Sequence, residues 1–135
     1  MTTAAFGLML LVAGSSGAAA RPEALVSEGR KLLDAGRLEE ARDRLEKAAA
    51  ADPGWATPHL LLGRVHEARA ALPAAAAAYE RALRADPDLA EAHDGLGFVL
   101  GQLGQTRDAI DRFRRAAELR PDRFEAQYHL GATLW

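Results

Sequence analysis

The chain has 135 residues, 49% hydrophobic and 27% charged, enough for one compact domain or a short array of small units. The formal net charge of −2 gives no global attraction to nucleic acid or to an acidic membrane surface. The absence of cysteine excludes disulfides, thiolate zinc sites, cysteine-ligated iron–sulfur clusters and C-x-x-C-H haem attachment.

Residues 1–20 carry no charged side chain. Ala4 to Ala13 is nearly all apolar, and the small residues Gly14 to Ala20 follow it. Ala18 and Ala20 form an A-x-A pattern, so the segment resembles a secretory signal peptide cleaved before Arg21. It departs from that pattern in one respect, because Met1-Thr2-Thr3 lacks Lys and Arg. The apolar run is too short and too broken by Gly and Ser for an integral membrane span. The expectation is an exported protein, periplasmic or secreted. If the segment is not a signal, the protein is cytoplasmic.

From Pro22 onward the sequence repeats. Pro53, Pro87 and Pro121 stand 34 residues apart. The same step links Gly29, Gly63, Gly97 and Gly131, and it links Ala41, Ala75 and Ala109. It also links Leu45, Tyr79 and Phe113, and Ala48, Ala82 and Ala116. A period shared by five series marks a repeat architecture. Each copy reads as two helices. Leu38, Ala41, Leu45 and Ala48 show helical spacing in the second helix of the first copy. Gly36, Ala70 and Gly104 break the rhythm midway, and Asp52-Pro53, Asp86-Pro87 and Arg120-Pro121 end each second helix. Pro73 falls in a first turn, where proline is tolerated. No window alternates like a strand.

The period and the small–aromatic–small order of Ala75, Tyr79 and Ala82 resemble the tetratricopeptide repeat family. The resemblance implies an all-α fold, a right-handed solenoid of antiparallel helix pairs. Its copies run 22–55, 56–89 and 90–123, and a partial fourth spans 124–135. The large aromatic residue usual near the start of the first helix is replaced by Leu25, His59, His93 and Gln127. Recurrent glycine costs roughly 1 kcal/mol against alanine in a helix, so close helix approach must offset it. Gly63 is expected to meet Ala75, with Tyr79 and Phe113 filling the remaining volume. Acid–base pairs four residues apart are expected along the second helices. They are Glu40 with Arg44, Asp43 with Lys47, Glu80 with Arg84, Asp108 with Arg112, and Asp111 with Arg115.

Nothing in the sequence assembles a catalytic site, a cofactor site or a metal site. His59 and His66 lie two helical turns apart, about 10 Å, and cannot share an ion directly. His66 holds the phase of Leu32 and Leu100 and reads as a packing residue. Ser27 lacks a G-x-S-x-G context, and no phosphate-binding glycine loop occurs. Arg112, Arg114, Arg115, Arg120 and Arg123 are interleaved with acids, which argues against nucleic-acid binding.

The resemblance further implies that the first helices line a concave groove for a protein or peptide ligand. The candidate partner-binding residues are Val26 and Arg30, Leu60 and Arg64, and Asp94 and Phe98. Arg30 and Arg64 beside Phe98 could hold a carboxylate or an extended peptide. Family members that bind chaperones clamp a terminal carboxylate with Lys, Asn and Arg. Here Val26, Arg30, Leu61, Glu91 and Gly95 stand at those positions, so that activity does not carry over. The fourth copy stops within its first helix, leaving Leu130, Leu134 and Trp135 without a following partner. A truncated array is one expectation, and self-association through the uncapped end is another. The functional expectation is a non-catalytic scaffold module of an exported repeat protein. The alternative is the N-terminal repeat segment of a larger enzyme or envelope-assembly protein.

Overall fold

Helix starts and stops follow the punctuation of the sequence in the computed structural model, which describes residues 20–122, His129, Gly131 and Ala132. The expected signal segment 1–19 lies outside the described residues. So do most of the fourth copy and its apolar residues Leu130, Leu134 and Trp135. Among the described residues all regular structure is helical. Helices α1 (Pro22–Asp34) and α2 (Leu38–Ala51) form the first pair, α3 (Ala56–Ala68) and α4 (Leu72–Ala85) the second, and α5 (Ala90–Gln102) and α6 (Thr106–Leu119) the third.

The turn inside each pair is built the same way three times. Gly36, Ala70 and Gly104 adopt positive φ angles of 75°, 57° and 81°. The N–H of Gly36 donates to Leu33 O, and that of Arg37 to Leu32 O. Ala70 and Ala71 repeat this with Glu67 and His66, and Gly104 and Gln105 with Gly101 and Leu100. This left-handed cap satisfies carbonyls that the helix end would otherwise leave open. Pro73 sits in the first turn of α4. The second helices stop at Asp52, Asp86 and Arg120, each just before a proline. None of the six N-termini has a side-chain cap, so packing rather than capping carries helix stability.

Helices of one pair pack most extensively, followed by α2 on α3 and α4 on α5. First helices also touch, α1 on α3 and α3 on α5, whereas α2 and α4 do not meet, nor do α4 and α6. The first helices therefore converge and the second helices splay. That asymmetry curves the stack and places α1, α3 and α5 on its inner side.

The core crosses the repeat boundaries. One cluster joins Leu25, Ala41, Leu45 and Ala48 to Leu61, Val65 and Ala78. The other joins Tyr79, Ala82 and Leu83 to Ala92, Leu96, Val99 and Phe113. The recurring glycine faces a large residue of the second helix rather than an alanine. A Cβ on Gly63 would lie 2.5 Å from Tyr79 Cε1, one on Gly29 2.7 Å from Leu45 Cγ, and one on Gly97 2.8 Å from Phe113 Cδ1. The nearest neighbour of Gly63 is thus the Tyr79 ring rather than Ala75. Ala75 is fully buried elsewhere in the same cluster.

Of the five expected helical charge pairs, Asp43–Lys47 forms, at 3.1 Å. Arg44 turns to Glu28 and Asp43 instead of Glu40, and Arg115 to Asp88 and Glu118 instead of Asp111. The long guanidinium side chains reach acids on a neighbouring helix or turn, as Arg69 does across the repeat boundary to Glu39 at 3.0 Å.

Candidate peptide-binding groove

Residues three and four apart share a helix face, which lines up Arg64 with Glu67 on α3 and Glu91 with Asp94, Gly95 and Phe98 on α5. These six, with Tyr79 and His129, wall a hollow of about 380 Å³ on the inner side of the stack. Arg64 donates to Glu91 across the repeat boundary at 2.8 Å. Asp94 Oδ1 lies 3.1 Å from His129 Nδ1. The Phe98 ring is 41% exposed, with its centroid 6.1 Å from that of His129.

Tyr79 comes from α4 and reaches the hollow between two glycines, Gly63 and Gly95. Its hydroxyl donates to Glu67 Oε1 at 2.7 Å. Burial pushes the Tyr79 phenol above its ordinary value, and the neighbouring Glu67 adds to that. Burial also pushes the Glu67 carboxyl up, and the Tyr79 hydrogen bond partly opposes this. The nearby Arg64 guanidinium also lowers it, and the Asp94 carboxylate adds to the rise.

The candidate groove residues separate. Arg64, Asp94 and Phe98 come together around the hollow. Arg30 is exposed on α1 and does not line it. Val26 and Leu60 are only 6% exposed and belong to the two core clusters. Their groove assignment is corrected to core, because apolar side chains at this phase are drawn between the converging first helices. The pairing of two guanidinium groups beside Phe98 does not form, and Arg64 is committed to Glu91. Glu67 and Gly95, at inward phases of the first helices, also line the hollow, and Tyr79 joins it from the second helix without having been singled out for it. For Glu67 and Gly95 the signal was present in the helical spacing from Arg64 and Phe98.

The histidines that replace the family's aromatic residue have a shared role. His93 is 6% exposed, and its Nε2 donates to Pro87 O at 2.8 Å. His59, one repeat earlier, bonds to the backbone of Pro53. Each ties its own helix to the proline that ends the preceding one. Nδ1 of His93 is buried without a hydrogen-bond partner. His66 is half-buried, as its apolar phase predicts.

Among the described residues no group of three or more His, Cys, Asp or Glu could hold a metal ion. Likewise, no helix among them is long and apolar enough to cross a membrane.

The family model described as tetratricopeptide repeat matches residues 55–122. The chain belongs to the tetratricopeptide repeat family. Its fold is similar to that of the first such repeat domain of Spaghetti (RPAP3) bound to the HSP90 peptide SRMEEVD. That structure gives a TM-score of 0.82 at 22% identity, covering 84% of this chain and 90% of that one. The Sgt2 repeat domain from Aspergillus fumigatus gives 0.80 at 19% identity, with coverage of 84% and 76%. YrrB, described as a repeat protein with an unusual peptide-binding site, gives 0.75 at 29% identity, with coverage of 82% and 57%. No curated protein sequence matches this tetratricopeptide repeat chain significantly.

Proposed function

We propose that the chain is a non-catalytic, exported binding module that holds an extended protein or peptide segment along α3 and α5. The observation that carries this reading is Phe98. An exposed aromatic ring stands at a formed hollow that mixes apolar surface from Tyr79 and Gly95 with charged groups able to orient a ligand. Two proteins of the same fold, one bound to a peptide and one described by its peptide-binding site, support the reading.

Selection of a random dodecapeptide display library on the immobilised protein tests it. Enriched peptides should bind the unaltered chain and lose at least tenfold in affinity to Phe98→Ala. The absence of enrichment over an unrelated helical protein would refute it. Export rests on the uncharged, apolar residues 1–20 and the Ala18–Ala20 pattern. A secreted product whose mass begins at Arg21 is the expected result, and a full-length product retained in the cytosol would refute it.

A further inference from the structure

We propose that the hollow between α3 and α5 receives a basic side chain, lysine or arginine, from the bound segment. This rests on the peptide-binding reading above and adds the chemistry of the ligand. The hollow is a formed concavity with an aromatic wall, and charge complementarity selects its occupant. Among the described residues that line it, three are carboxylates, Glu67, Glu91 and Asp94, and one is a guanidinium, Arg64. Arg64 is turned onto Glu91 at 2.8 Å, so its charge is already matched within the wall. An incoming carboxylate would have to displace Glu91 and would then face Asp94 and Glu67.

A cation meets the reverse situation. It gains Asp94 and Glu67 as acceptors and leaves the Arg64–Glu91 pair in place. It also relieves Glu67, whose carboxyl burial holds above its usual range. Phe98 offers the stem of a lysine or the plane of a guanidinium an aromatic face at the same mouth. The preference is therefore opposite in sign to a clamp for a terminal carboxylate.

The test uses the full chain and the peptides enriched from the random dodecapeptide library. Lysine or arginine should recur at one position, and replacing it with norleucine should cost at least tenfold in affinity. Glu91→Gln with Asp94→Asn should cost a similar factor, and raised salt should weaken binding to the unaltered chain. Both substitutions are isosteric, each single variant should lose part of the affinity, and helical circular dichroism verifies the fold. Peptides enriched in acidic residues or free terminal carboxylates, or equal binding to the double variant, would overturn the charge assignment. If those same peptides still lost affinity to Phe98→Ala, the groove reading would survive alone. No enrichment at all would remove both.

Discussion

Gly95 and Tyr79 meet across the boundary between the second and third repeats, so closely that a Cβ on Gly95 would sit 2.6 Å from Tyr79 Cζ. The same ring presses on Gly63 from the other side. Neither contact leaves room for a side chain. Gly95→Leu and Gly63→Leu should each destabilise the fold by about 1–3 kcal/mol through overpacking. Tyr79→Leu, itself destabilising, should reduce the cost of Gly95→Leu, because the first repeat already pairs Leu45 with Leu61 at those phases in one core cluster. A double-mutant cycle by urea unfolding measures this, and strict additivity would contradict it.

Ala70 carries the left-handed turn that Gly36 and Gly104 make without a Cβ. A non-glycine residue in that region costs about 1–2 kcal/mol. Ala70→Gly should therefore stabilise the array by about 1 kcal/mol, and Gly36→Ala should destabilise it by a similar amount. The two midpoints in urea, moving in opposite directions, provide the measurement.

Burial holds His59, His66 and His93 below the ordinary histidine value. For His93, Arg112 and Arg115 reinforce this, while the Pro87 carbonyl and Asp88 oppose it. Protonation thus favours the unfolded chain, whose histidines titrate near about 6.5. The stability these groups contribute is present above that value and is lost as pH falls below it. Glu67 has the opposite sense. Its raised carboxyl contributes stability below the ordinary carboxylate value, lost as pH rises through its folded value. Unfolding free energy should fall between about pH 7 and about pH 5.5, and His59→Gln with His93→Gln should flatten that slope. A slope unchanged in the double variant would show that the titration lies elsewhere.

The Tyr79–Glu67 hydrogen bond offers a smaller test. Tyr79→Phe keeps the ring between its glycines but removes the donor from a partly buried carboxylate. The expected cost is about 1–2 kcal/mol near neutral pH. The Glu67 carboxyl should titrate still higher, which side-chain carbon NMR can follow.

The helix pairs were legible because backbone punctuation is local. A proline, or a glycine at positive φ, acts within its own turn, so Pro53, Pro87, Gly36 and Gly104 marked the boundaries directly. What faces what across helices was less legible. Gly63 required a close neighbour, but one-dimensional spacing could not distinguish Ala75 from Tyr79. Val26 and Leu60 share a phase with Asp94 on successive first helices, yet convergence of those helices buries the apolar members and leaves Asp94 at the groove. The guanidinium groups were misassigned for a related reason. Arg44 reaches an acid on α1 and Arg115 an acid in the turn between α4 and α5, whereas sequence spacing reports only partners on their own helix.

Position 61 is leucine, position 95 glycine and position 129 histidine, and each follows by sixteen residues the Leu45, Tyr79 or Phe113 of the preceding unit. At the middle seam the bulk of Tyr79 is matched by the glycine opposite it, so the fitted halves belong to different units. Duplicating residues 56–89 in tandem would therefore set a second copy of leucine 61 against Tyr79, where only glycine fits. Designers who extend or shuffle this array should cut within a first helix, beyond the seam residue, and not at the apparent unit border.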